Sequence, residues 1–227
     1  MARELPIFPL PLVLFPGATQ PLHIFEPRYR RLLADCLEGD RRFGIAYATP
    51  PREGADPVPE AGDVGCIARI LDTTALPDGR SDIITTGEQR FVLLEWLGTD
   101  RPYRMARIEE FGDDPADAAE AEGLATDVRR DFLRVVQALS VLTDNERDPL
   151  ELPTDPEALS FRVAAALELE PPAKVVLLGI RSTTVRLRRL AALLQPLAAD
   201  AERRAEVRHR AKGNGKGGAH PQIEKVP

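Results

Sequence analysis

Residues 5–37 read LPIFPLPLVLFPGATQPLHIFEPRYRRLLADCL, a strongly apolar stretch interrupted by six prolines. Proline fixes its own φ, lacks an N–H and pushes the preceding residue toward extended geometry. A secretory signal needs a basic start, an unbroken apolar helix and a small-residue cleavage site. Pro6, Pro9, Pro11 and Pro16 break any such helix, so the expected location is the cytoplasm. The stretch instead reads as short extended segments with rigid corners. Leu5–Leu10 is expected as a broken edge strand, where a missing N–H costs no ladder bond. Val13-Leu14-Phe15 is expected as a short buried strand stopped by Pro16-Gly17, and Leu22–Phe25 as another.

Glu26-Pro27 opens a helix. Proline at the first helical position loses no hydrogen bond, and a carboxylate suits the positive end of the helix dipole. Tyr29, Leu32, Leu33, Cys36 and Leu37 recur at i, i+3, i+4, i+7 and i+8, giving one apolar face. Gly39 is the expected stop. Phe43–Ala48 then reads as a strand and Thr49–Gly62 as a proline-rich loop. Val64–Leu71, Ser81–Thr86, Arg90–Leu97 and Tyr103–Phe111 read as further strands, with Gly87 and Gly98-Thr99-Asp100 separating the later ones. Leu76-Pro77-Asp78-Gly79 carries hairpin chemistry: proline presets φ and glycine accepts a positive one. Short strands at regular spacing with little helix between them point to a small, mostly antiparallel barrel or curled sheet.

The texture changes near Gly112. A long helical stretch runs to about Leu142, with Leu124, Val128, Phe132, Val135, Val136 and Leu139 along one side. Asn145–Pro153 reads as a linker. Thr154-Asp155-Pro156-Glu157 supplies a helix start, and Pro171-Pro172 opens a short helix that Gly179 ends. Ser182 or Thr183 caps a last helix, expected to run to about Arg204. The leucine-lined faces are read as core. The expected organisation is therefore α+β: residues 1–112 a barrel with one helix, 113–206 a helical bundle, and 207–227 a disordered, glycine-rich basic tail.

The 227 residues suffice for a sizeable core. A net charge of -6 argues against broad nucleic-acid binding, which needs concentrated Lys and Arg. Cys36 and Cys66 show no CxxC spacing and are read as reduced, buried thiols. No phosphate-binding GxxxxGK[ST], dinucleotide fingerprint, GxSxG or metal-ligand spacing occurs, so no cofactor or metal is expected. His23, the one histidine outside the tail region, is expected as a hydrogen-bonded core residue. Lys174 and Ser182 supply the residue types of a Ser–Lys dyad, but helix capping accounts for both. The expectation is a non-enzyme.

The segments LPIFPLPLVLFPG and PLHIFEPRYRRLLADCL, with Asp63–Ile70, Leu76–Arg80, Gly87–Phe91, Lys174–Leu178 and Leu187–Leu194, resemble the substrate-binding domain of Lon-type ATP-dependent proteases. The likeness is greatest to stand-alone bacterial relatives that carry this domain alone, and it spans about residues 4–205. The FPG corner together with IFEPRY is its most specific part. The resemblance implies a PUA-like barrel followed by a helical bundle. It also implies recognition of unfolded or tagged polypeptides or of a protein partner. It does not carry over the ATPase or Ser–Lys protease activity, whose modules this sequence does not show.

On that basis the expected function is polypeptide recognition through apolar contacts and strand addition at an open sheet edge. The candidate binding residues are Phe15, Phe25, Arg28, Tyr29 and Trp96, each with a purely structural alternative; Phe25 and Tyr29 would equally staple the first helix to the barrel. RNA binding by a PUA-like barrel is the alternative reading, disfavoured by the acidic balance. Small-molecule binding in a barrel cleft is a third, for which a single tryptophan offers little.

Overall fold

The computed structural model describes residues 2–49, 58–115, 118–143 and 151–214. In chain order the elements are β1 (Arg3–Leu10), β2 (Thr19–Ile24), α1 (Pro27–Glu38), β3 (Arg42–Tyr47), β4 (Val64–Ala75), β5 (Ser81–Leu97) and β6 (Arg104–Glu110), then α2 (Ala118–Thr143), α3 (Pro156–Ala166), α4 (Pro171–Leu178) and α5 (Thr183–Asn214). The expected order of a mostly antiparallel barrel followed by helices holds.

The sheet order is β2-β5-β4-β3-β1-β6, and β5 also pairs with β6. That last pairing closes β5, β4, β3, β1 and β6 into a ring and leaves β2 attached to β5 alone. Closure removes sheet edges; β2 keeps one. The ring holds one parallel contact, β1 with β3.

β1 shows how a strand carries prolines inside a ring. Its first part, Arg3–Ile7, pairs with β6, and its second part, Ile7–Leu10, pairs with β3. The strand is therefore not the edge strand expected from the sequence. Because it changes partner at Ile7, each half still has one unpaired side, where a missing N–H is tolerated.

One expected strand is absent, and two others are joined into one. Val13–Phe15 is not a strand, although Leu14 and Phe15 are buried; it is an irregular corner whose side chains, not its backbone, are anchored. Ser81–Thr86 and Arg90–Leu97 are two parts of the single strand β5, running through Gly87. Gly87 does not break the strand; it admits a close approach. A Cβ there would stand 2.2 Å from the Phe15 carbonyl oxygen, and Gly17 N–H donates to the Gly87 carbonyl at 2.8 Å. Gly17 itself has φ +73° and makes the turn after Pro16.

The hairpin at Leu76–Gly79 forms as its residues require, with Gly79 at φ +79°. α1 begins at Pro27 and stops at Gly39, and buries Tyr29, Leu32, Leu33 and Cys36. These cover one face of the sheet, against Phe8, Phe43, Ile45 and Ile70. The opposite face joins Leu5, Ile7, Ala46, Ile67, Phe91, Leu93, Ala106 and Ile108 from all five ring strands. The α3 start is as expected: the Asp155 carboxylate caps it by accepting from Ala158 N–H at 2.7 Å. α5 runs to Asn214, past the end expected near Arg204. The centre of the Thr49–Gly62 loop (50–57), most of the Asn145–Pro153 linker (145–150) and residues 215–227 of the expected tail lie outside the described residues.

Candidate functional site

The sheet and the helices share one seam, and Phe15 sits in it. Its side chain is fully buried among α2, α3 and α5 residues, 6.3 Å from the Phe161 ring. On one side of Phe161 the seam is polar and closed. Arg90 of β5, Arg186 of α5 and Asp113 have side chains only 2%, 0% and 6% exposed. Arg186 Nη2 donates to Asp113 Oδ2 at 2.7 Å, the Thr183 hydroxyl donates to the same oxygen at 2.5 Å, and Arg90 pairs with Oδ1. Arg186 Nε donates to Ser160 Oγ at 2.7 Å, and Arg90 Nη1 to the carbonyls of Leu178 and Ile180 at 2.7 and 2.8 Å. The guanidinium carbons lie 3.9 Å (Arg186) and 5.0 Å (Arg90) from the Phe161 centroid, within cation–π reach. Burial lowers the Arg90 pKa and the neighbouring Arg186 lowers it further, while Asp113 raises it.

Elsewhere along the seam lies an open apolar trough. A cleft of about 420 Å³ runs between the residue 11–20 corner and α3–α4, with Leu12, Val13, Leu14, Phe132 and Leu169 in its walls. A second depression, about 680 Å³, lies between α2 and α5 and is lined by Val135, Val136, Leu139, Leu142 and Leu197 among others. Phe132 and Ala166 border both, so the two adjoin. At the far end the cleft reaches Thr19 and Gln20, the start of β2. Among the described residues β2 has no strand neighbour on its outer side, and its first two residues lie in the cleft wall.

Lys174, in the cleft wall, has a definite setting. Lys174 Nζ donates to the Ala165 carbonyl at 3.1 Å, and burial pushes its pKa down, against the pull of Glu168. Ser182 Oγ accepts from Val185 N–H at 3.2 Å as the cap of α5. Both members of the nominal Ser–Lys pair are thus engaged with backbone partners.

The sequence-derived residues do not converge. Phe15 is core. Tyr29 is 7% exposed and stacks on Phe8 with centroids 3.9 Å apart. Arg28 lies 4.7 Å over the Tyr29 ring and donates to Glu26 at 2.8 Å. Phe25 is 58% exposed beside His23. Trp96 is half-buried against the ring-strand core, its indole N–H donating to the Pro59 carbonyl at 2.9 Å. His23 is not the core residue expected: it is exposed on β2, with Nδ1 2.6 Å from the Asp82 carboxylate. Its strand is the one strand outside the ring, so only one face is covered.

Part of the trough lining, Phe132, Val135, Val136 and Leu139, belongs to the apolar stripe of α2, whose pattern by itself predicts core throughout. Val128 and Phe132 are core, at 0% and 5% exposure, whereas Leu139 is 38% exposed. Nothing in the 3.6-residue period marks where cover ends. Among the described residues, no group of three His, Cys, Asp or Glu side chains is placed to hold a metal, and no helix is long and apolar enough to cross a membrane. Cys36 and Cys66 are free and buried; burial pushes the Cys36 pKa to about 12 and that of Cys66 still higher.

The sequence model of the ATP-dependent protease La (LON) substrate-binding domain matches residues 4–196. The chain belongs to the Lon substrate-binding domain family. It is 29% identical over 192 residues to a Lon protease of Roseiflexus castenholzii, covering 84% of this chain and 24% of that protein. Lon protease 2 of Herpetosiphon aurantiacus is 28% identical over 193 residues, 84% of this chain and 23% of its own length. The chain thus spans about a quarter of these curated Lon relatives. Among solved structures, the Lon N-terminal domain protein from Xanthomonas campestris is similar at TM-score 0.59 and 27% identity, covering 84% of this chain and 98% of that one. The N-terminal domain of a Mycobacterium avium complex Lon protease superposes at TM-score 0.61 and 19% identity, over 87% of this chain and 99% of that one, a likeness of fold. The Lon-type domain alone accounts for the matched region.

Proposed function

We propose that this chain is a polypeptide-recognition module that holds extended apolar segments of unfolded or tagged proteins in the seam trough. It acts without bond-breaking chemistry of its own, as an adaptor in protein quality control. The observation that carries this reading is a cleft with apolar walls whose lining reaches Thr19 and Gln20, the start of a strand that has no outer strand neighbour among the described residues. An extended chain can add backbone hydrogen bonds to such an edge while its side chains fill adjacent apolar walls. Membership in a substrate-binding family supports the same reading. The engagement of Lys174 and Ser182 with backbone groups supports the absence of a dyad. Two buried free thiols fit a reducing, cytoplasmic setting.

The test is fluorescence anisotropy with a labelled, permanently unfolded carboxymethylated protein. Saturable binding is expected, competed by a second unfolded chain and not by the native form of either. Failure to bind several unfolded chains, or turnover of ATP or peptide bonds by purified protein, would overturn the proposal.

A further inference from the structure

The trough is not uniform in charge, and its cleft end has one sign only. Among the described residues, Arg162 and Lys174 are the charged side chains lining the 420 Å³ cleft, and no carboxylate lines it. In a chain with 36 acidic and 30 basic residues, a partly enclosed surface with cations alone is a local departure from the whole. Most arginines here are already paired: Arg42 and Arg69 with Glu88, Arg134 with Asp131 and Glu202, Arg130 with Asp127 and Asp131. Arg162 is half-buried and has no carboxylate partner among the described residues. Lys174 is half-buried, spends one N–H on the Ala165 carbonyl and keeps two donors. Glu168 is near enough to act on its charge, but borders the neighbouring depression and forms no ion pair with it.

Two unmatched cations facing apolar walls ask for an anion that arrives with apolar neighbours. Building on the polypeptide-recognition reading above, we propose that the cleft selects extended chains in which an acidic side chain lies close to apolar ones. Arg162 and Lys174 receive the carboxylate, the partly exposed Leu12, Val13 and Leu169 take the apolar neighbours, and the free side of β2 takes backbone groups. The carboxylate belongs to an internal Asp or Glu and not to a chain end. The cleft lining includes Thr19 and Gln20 of β2 and, at Phe132 and Ala166, adjoins the α2–α5 depression, so a bound chain has surface to extend along on both sides of the carboxylate. A half-buried carboxylate–guanidinium contact is shorter and stronger than a neutral hydrogen bond. It is worth roughly tenfold in affinity over an uncharged isostere.

The experiment uses the full chain and fluorescein-labelled peptides blocked at both ends, identical but for one central residue: Glu, Gln or Lys. The Glu peptide is expected to bind roughly tenfold more tightly than the Gln peptide, with the Lys peptide weakest and the gap narrowing as salt rises. Arg162→Gln with Lys174→Gln should abolish the Glu preference, bringing the Glu-peptide and Gln-peptide affinities together. Arg162→Glu, checked for a wild-type thermal melt, should shift the preference toward the Lys peptide. Equal binding of Glu and Gln peptides, or a preference seen only when the C-terminus is left free, overturns the acidic-side-chain proposal while leaving polypeptide recognition standing. Absence of binding by every peptide and every unfolded protein overturns both.

Discussion

The seam between sheet and helices is built in two opposite ways. Near Arg90, Asp113 and Arg186 its side chains are polar, nearly buried and joined by hydrogen bonds and ion pairs. Along Leu12, Phe132 and Leu139 it is apolar and open. The contrast runs against the simple rule that apolar surfaces close and polar ones face water. Closing the polar part fixes how the two halves meet, because charged hydrogen bonds tolerate one geometry. With the halves held there, apolar surface elsewhere along the seam can stay uncovered and available. Such surface marks a binding region more reliably than scattered exposed residues do.

Four variants would break or sharpen this contrast. The largest effect is expected for Asp113→Asn, which leaves Arg90 and Arg186 buried side by side without an anion. The cost should be about 3–5 kcal/mol in urea unfolding; a loss below about 1 kcal/mol would show that the clasp does not hold the halves. Gly87→Ala comes next. Its Cβ has no room beside the Phe15 carbonyl, and the strain should cost about 1–3 kcal/mol, read by the same method.

On the open side, Leu139→Asp combined with Leu197→Asp should reduce binding of unfolded chains by more than about tenfold. These side chains are already 38% and 44% exposed, so stability should change by less than about 1 kcal/mol. Unchanged binding would remove the α2–α5 end from the trough. The smallest effect concerns pH. Burial raises the Glu157 pKa above its usual 4.5, with Asp113 adding to the rise and Arg186 and Arg90 opposing it. A carboxyl that is harder to ionise when folded destabilises the native state once pH exceeds its raised folded pKa. That penalty fades as pH falls through the folded value toward the unfolded one. Glu157→Gln should therefore raise the urea midpoint slightly at pH 7 and not at pH 4; a gain of equal size at both would assign it to contacts and not to charge.

The parts of the fold legible in the sequence were those fixed over a few residues. Pro27 and the Tyr29–Cys36 face gave α1, Asp155 gave the start of α3, and Pro77 and Gly79 gave the hairpin. The misreadings came where a residue's meaning depended on something distant. Gly87 signals a break by composition, yet it sits inside β5 because the Phe15 backbone crosses it. The prolines of β1 signal an edge, yet the strand is internal and changes partners between them. Of the five candidate residues, Phe15 and Tyr29 are buried and only Phe25 is largely exposed. Conspicuous aromatics are conspicuous for packing as often as for binding. Arg162 carried no signal, and Lys174 signalled only a nominal dyad and a family segment, since lacking an ion-pair partner is a property of the surroundings.

By itself the sequence determined the order of strands and helices, the caps and turns, and the family through its FPG and IFEPRY segments. These depend on φ, on hydrogen bonds within one turn and on side-chain period, all of which act within a handful of residues. Only the tertiary structure decided which part of an apolar stripe is covered and which basic groups are left without an anion. Cover and charge pairing are supplied by groups 20 to 100 residues away, such as Arg90 to Asp113 and Leu178, and no local pattern encodes their presence.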